Sequence, residues 1–168
     1  MLREYQQRTI DQLYKWFADG HKGHPCIELP TGSGKSHIIA AVCQDAKMQW
    51  PDTRILMLTH VKELIEQNAE KLRQHWPQVP LGIYSAGLGS KRFDDITFAS
   101  IQSIRRVDPA ALGHFDLVLI DECHLVSHKQ EGGYRKLIDA LARINPAMRV
   151  IGLTATPYRL GHGLITDD

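Results

Sequence analysis

The sequence predicts an α/β fold in which a mostly parallel sheet is sandwiched between helices. Three features carry that expectation. Stretches with helical periodicity alternate along the chain with short apolar runs. Residues 55–58 and 117–120 are apolar at every position, as strands are when helices cover both faces of a parallel sheet. A Gly-rich segment, Thr31-Gly-Ser-Gly-Lys-Ser36, falls between an apolar run and a helix-period stretch, which is where a phosphate-binding loop must stand.

Leu2, Tyr5, Thr9, Ile10, Leu13, Trp16 and Phe17 recur at three-to-four spacing and predict an opening helix that Gly20 stops. Residues 25–29 form a short apolar run that leads into Gly and Ser, and so predict a strand entering a tight loop. A helix over about 35–48, a strand near 54–59 and a helix near 61–75 follow, the last with Val61, Leu64, Ile65, Asn68 and Leu72 on one side. A strand is expected at 81–84. Residues 85–95, with Gly87, Gly89 and a cluster of charges, predict an exposed loop. Strands at 96–99, 115–120 and 149–153 alternate with a brief helix from Ile101 and a longer one at 133–143, giving about six strands in all. No internal repeat, low-complexity tract or interdomain linker interrupts this pattern.

Composition bounds the function. A chain of 168 residues, 43% hydrophobic and 23% charged, fits one soluble globular domain able to bury roughly 70% of its unfolded surface, which argues against disorder. Twenty Lys and Arg against nineteen Asp and Glu give a formal charge of +1, so a polyanion partner would have to be held by a local site. Cys26, Cys43 and Cys123 are odd in number and widely spaced, with two of them in apolar segments that read as core; this pattern fits a reducing compartment. No apolar run nears the ~18 residues a membrane helix needs, and the N-terminus is charged and amphipathic, so the expected location is the cytosol.

Three segments carry chemistry. In Thr31, Gly32, Ser33 and Gly34 the glycines let the backbone curl so that successive N–H groups face a phosphate. Lys35 can then reach the terminal phosphates and the Ser36 hydroxyl can coordinate Mg²⁺; the plain alternative is a Gly-Ser turn with a surface lysine. The apolar strand before Asp121-Glu-Cys-His124 delivers two adjacent carboxylates at its C-terminal end, where ligands sit in open parallel sheets. Asp121 is then suited to the metal and Glu122 to orienting and deprotonating water, unless the pair is merely solvated. The turn Thr154-Ala-Thr156-Pro after the last strand reads alone as a polar turn closed by proline. Zinc is a weaker reading of Cys123, His124 and His128, or of His21 and His24, because no second ligand pair lies nearby.

In their order, these three segments resemble the N-terminal RecA-like ATPase domain of superfamily 2 helicases and translocases of the DEAD/DEAH-box kind, here with the variant box Asp-Glu-Cys-His, and the resemblance runs from Leu2 to about Pro157. It implies an ATP-Mg²⁺ site in which residues 31–36 hold the phosphates, Ser36 and Asp121 the metal, and Glu122 the water, with Lys35, Asp121 and Glu122 as the catalytic set. It implies that Arg3 and Gln6, in Leu-Arg-Glu-Tyr-Gln, read adenine, although Glu4 stands where the family usually has proline. It implies that His124, Thr154 and Thr156 pass the state of the γ-phosphate to strand-binding loops. His60, Val61 and Lys62 align with a backbone-contacting motif whose usual residues are Pro, Thr and Arg, so contact there falls to backbone N–H groups, His60 or Lys62. Gly87, Ser100 and Gln102 lie in segments resembling later strand-binding motifs. These segments and the ending Thr156-Pro-Tyr-Arg-Leu-Gly-His162 look more like the bacterial RadD-type branch than like RNA-acting DEAD-box proteins.

The resemblance further implies a partner DNA strand and a second RecA-like domain, beyond Asp168, that supplies arginines to the transferring phosphoryl group. The expected protein is thus the ATP-binding half of a nucleic-acid-dependent ATPase, slow and unable to unwind by itself. A double-stranded DNA translocase of restriction-enzyme type, another P-loop enzyme such as a small-molecule kinase, and a nucleotide-gated binding scaffold are the competing expectations.

Overall fold

The computed structural model describes residues 4–18, 24–28, 35–121, 128–154 and 164–167. In chain order these form α1 (Glu4–Ala18), β1 (His24–Glu28), α2 (Lys35–Gln49), β2 (Ile55–Thr59), α3 (Lys62–His75) and β3 (Leu81–Ser85). After a 3₁₀ turn (Ala86–Leu88) come β4 (Ser90–Lys91), β5 (Ile96–Ser100), α4 (Ile101–Ile104) and α5 (Pro109–Leu112). The remaining elements are β6 (Leu117–Asp121), α6 (His128–Ile144), β7 (Arg149–Thr154) and β8 (Leu164–Asp167). The strands make one sheet in the order β4-β3-β5-β2-β6-β7-β1-β8. Six of them, β3 through β1, run parallel; β4 and β8 pair antiparallel at the two edges. The expected α/β sandwich is therefore the observed one.

The uniformly apolar strands have the anticipated cause. Side chains alternate between faces along a strand, and each face of β2 is buried: Ile55 and Met57 join a core with Ile38, Ile39 and Cys43 of α2 and Ile65 and Leu72 of α3. Leu56 and Leu58 join a second core with Ile104 of α4, Leu112 of α5 and Leu137 and Leu141 of α6. In the first core Tyr14 donates its hydroxyl proton to Asp45, tying α1 to α2; burial and then that carboxylate push the Tyr14 ionisation well above its usual range, so it stays a neutral donor. Burial likewise raises the Cys43 thiol to about 12, which leaves it protonated and unreactive. Cys26 lies in β1, whereas Cys123 is outside the described residues. No helix among the described residues is long and apolar enough to cross a membrane.

The expected loop at 85–95 is instead a built hairpin. Gly89 takes the left-handed conformation, φ 69°, that closes the 3₁₀ turn, and β4 then returns along β3. The following residues fold back over bare backbone: a Cβ on Gly82 would lie 2.6 Å from the Arg92 carbonyl oxygen and 2.9 Å from the Asp94 nitrogen. Thr97 pins the return by bonding both the N–H and the carbonyl of Asp94, and Phe93 stacks on Tyr84 at 4.6 Å. Gly82→Ala is therefore expected to lower stability by about 1–3 kcal/mol, because backbone has to move. Gly87→Ala meets the flexible Lys62 stem at 3.1 Å and Ser85 Oγ at an ordinary contact distance of 3.8 Å, and its cost should stay under ~1 kcal/mol. Paired chemical-denaturation curves check this; equal midpoints for the two variants would contradict the packing argument.

Candidate functional site

All six parallel strands end on the same edge, and their last residues read across the sheet as Ser85, Ser100, Thr59, Asp121, Thr154 and Glu28. Ligands of open α/β sheets bind outside this carboxyl edge. Residue chemistry divides the edge into two halves.

The first half surrounds Asp121, whose side chain is fully buried at the end of β6. Lys35, the first residue of α2, places its ammonium 2.7 Å from Asp121 Oδ1. Asp121 Oδ2 accepts a 2.6 Å bond from Nδ2 of Asn68, a residue of α3 that is itself 1% exposed. Oδ1 of Asn68 in turn accepts a 2.7 Å bond from the Ser36 hydroxyl. Three elements, α2, α3 and β6, thus meet in one polar cluster inside an otherwise apolar layer. Thr154 ends β7, level with Glu28 of β1 and one residue beyond the partner of Asp121, so its backbone stands between β1 and the carboxylate.

The cluster suits a divalent cation. Mg²⁺ takes oxygen ligands, one or two from carboxylates, and keeps several waters or phosphate oxygens. Among the described residues Asp121 Oδ1 is buried with no aligned hydrogen bond, since its short contact with Lys35 is one of charge without hydrogen-bond geometry. The Ser36 proton is committed to Asn68, which leaves the hydroxyl's lone pairs as donors. Lys35 and Ser36 also open α2, whose N-terminus carries the partial positive charge that favours phosphate.

Of the other residues expected in this half, Gln6 lies in α1. Arg3, Thr31, Gly32, Ser33, Gly34, Glu122, His124 and Thr156 lie outside the described residues. Asn68 was not among the expected site residues. Its signal was the one polar side chain on the apolar stripe of α3, between Ile65 and Leu72.

The second half gathers the expected strand-contacting residues, because β2, β5 and β3 are neighbours. Gln102 Nε2 donates to the His60 carbonyl at 3.3 Å, and the Lys62 stem passes over Gly87. Ser103, which no expectation singled out, joins two loops by accepting the Ala86 N–H at 3.0 Å while its hydroxyl meets that of Ser100 at 2.9 Å. Ser100 is 8% exposed and caps α4 by accepting from the Ser103 N–H, so its hydroxyl has a structural task. His60 is half-buried, and its Nδ1 has no hydrogen-bond partner among the described residues. Val61 stands at the N-cap of α3 without a side-chain cap bond, so the first-turn N–H groups lack the usual hydroxyl partner.

Residues 1–159 match the family model described as type III restriction enzyme, res subunit. Among curated relatives, the mouse ATP-dependent RNA helicase DHX58 is 28% identical over 153 residues, covering 78% of this chain and 22% of the relative. The type I restriction enzyme EcoAI endonuclease subunit of Escherichia coli is 26% identical over 165 residues, covering 92% of this chain and 19% of the relative. The chain thus spans about a fifth of the length of these relatives. Among solved structures, the Sulfolobus solfataricus SWI2/SNF2 ATPase core in complex with dsDNA superposes with a TM-score of 0.69 at 21% identity, over 94% of this chain and 32% of that one, a likeness of fold.

Proposed function

The chain belongs to the type III restriction enzyme res subunit family and carries the RecA-like fold of superfamily 2 helicases, and from that premise we propose that it is the ATP-binding half of a nucleic-acid-driven motor, acting on DNA in the cytoplasm. The observation that carries the reading is the cluster of Lys35, Ser36, Asn68 and Asp121 on the same sheet edge as His60, Lys62, Gly87 and Gln102.

In this reading Lys35 leaves Asp121 to neutralise the terminal phosphates, with residues 31–34 and the α2 N-terminus supplying N–H donors. Ser36 and Asp121 hold Mg²⁺, which when bound neutralises charge on the phosphate oxygens. Glu122, next to Asp121 in sequence, orients and deprotonates the attacking water. Gln6 and Arg3 select adenine. His124, Thr154 and Thr156 link the nucleotide half of the edge to the strand half. On the strand half, Lys62 and the uncapped N–H groups of α3 meet phosphate, so affinity falls as salt rises. A second RecA-like domain completes the site with arginines, which contribute ~10³–10⁵ in rate in comparable phosphoryl-transfer systems.

The test is direct. This chain alone, with ATP and Mg²⁺, is expected to bind nucleotide, hydrolyse it slowly and separate no strands; efficient unwinding by it would contradict the proposal. The restriction-enzyme family match favours one variant of the reading, a motor that travels along double-stranded DNA without net unwinding. Strand displacement and triplex displacement by the intact protein distinguish the two: a translocase displaces the third strand but leaves the duplex paired.

A further inference from the structure

Asn68 is the only one of the four clustered side chains that has no place in the reaction as described, yet it touches two that do. It lies on α3, the helix that begins at Lys62, and it is buried where Ile65, Ala69 and Leu72 of the same helix pack in an apolar core. A buried amide is tolerated only when both of its ends are satisfied. Here both are: the carbonyl oxygen accepts from Ser36 at 2.7 Å and the amino group donates to Asp121 at 2.6 Å.

We infer that Asn68 is the positioning residue of the metal site, holding Ser36 and Asp121 in the orientation that binds Mg²⁺. The inference rests on the nucleotide reading above. The argument is one of hydrogen-bond direction. By accepting the Ser36 proton, Asn68 turns the hydroxyl's lone pairs outward; by donating to Oδ2 of Asp121, it fixes the carboxylate plane and leaves Oδ1 for the cation. The task needs an acceptor and a donor on one short, rigid group. Aspartate could accept from Ser36 but would set a second carboxylate against Asp121, and leucine, of similar shape, could do neither. Groups that orient metal ligands in this way typically change metal affinity 10–100-fold when removed.

The experiment is a titration of a fluorescent ADP analogue into this chain at a series of Mg²⁺ concentrations, for the unmodified protein, Asn68→Ala, Asn68→Leu and Leu72→Ala. Asn68→Leu preserves volume, and Leu72→Ala is a structural control from the next turn of α3. The expected result is a Mg²⁺ half-saturation raised about 10–100-fold in both Asn68 variants. Leu72→Ala should lower the unfolding midpoint without moving the Mg²⁺ requirement. If the unmodified chain binds in a Mg²⁺-dependent way and the Asn68 variants share its half-saturation, the inference is overturned and the nucleotide reading stands. If the unmodified chain does not bind the analogue, both fall.

Discussion

Lys35→Ala should weaken Mg-ADP binding at least ~100-fold and at the same time destabilise the ligand-free chain. The first effect follows from the loss of charge-assisted contacts to phosphate, each worth about 1.5–3 kcal/mol, with every 1.4 kcal/mol a factor of ten. The second follows from geometry. Asp121 is fully buried, and among the described residues the Lys35 ammonium at 2.7 Å is its close cationic partner. Removing one member of a buried pair typically costs 3–5 kcal/mol. Here the residual bond from Asn68 and the partial exposure of Lys35, 12%, reduce the expected loss to about 1–3 kcal/mol. Calorimetric titration measures the first and thermal unfolding the second. A variant that loses binding with an unchanged midpoint would show that the pair contributes nothing to the ligand-free fold.

Asp121→Asn is expected to act in the opposite direction on one quantity. The amide keeps the shape and still accepts from Asn68, but it gives up the charge that attracts both Lys35 and Mg²⁺. Enhancement of ADP binding by Mg²⁺ should therefore fall at least ~10-fold, in the range lost when a metal site is disturbed. In the absence of Mg²⁺, by contrast, Lys35 no longer has to leave a buried carboxylate to meet phosphate, so ADP should bind as tightly as to the unmodified chain or up to ~10-fold more tightly, equivalent to about 1.4 kcal/mol. The sign separates this account from simple damage to the site. Titrations in chelator and in excess Mg²⁺ check it, and Mg²⁺-free binding that drops as far as in Lys35→Ala would contradict the idea that Asp121 and phosphate compete for the same lysine.

Much of the fold was legible because its strands are buried on both faces and its helices on one, and those two patterns are local. The elements that escaped are those fixed by tertiary contact. β4 has two residues and exists because Gly82 leaves room for the chain to return over β3. β8 forms by pairing with the edge of β1, which its own residues do not announce. α5 had a readable start in Asp108-Pro109, where Asp108 caps the Ala110 N–H at 3.0 Å and proline occupies the first turn, but at four residues it carries no helical period.

The candidate site was legible to a similar degree, and for similar reasons. Lys35, Ser36 and Asp121 could be singled out because strand-loop-helix context assigns their chemistry. That His60, Lys62, Gly87 and Gln102 share one half of the edge follows from the strand order β3-β5-β2, which does not follow chain order and so is not written in any local segment. Asn68 lay in view on the apolar side of α3, but only its two partners, from α2 and β6, reveal what a polar residue does there. Ser100, in a segment that resembles a strand-binding motif, has a second task that only the structure reveals, since its hydroxyl caps α4.

The central claim is that the cluster at the carboxyl edge is a magnesium-assisted nucleotide site. Its most direct test is calorimetric titration of ADP into the unmodified chain with and without Mg²⁺. The account predicts saturable binding of one ADP per chain, tighter with the metal than without it. Absence of binding under both conditions, or an affinity indifferent to Mg²⁺, would contradict it.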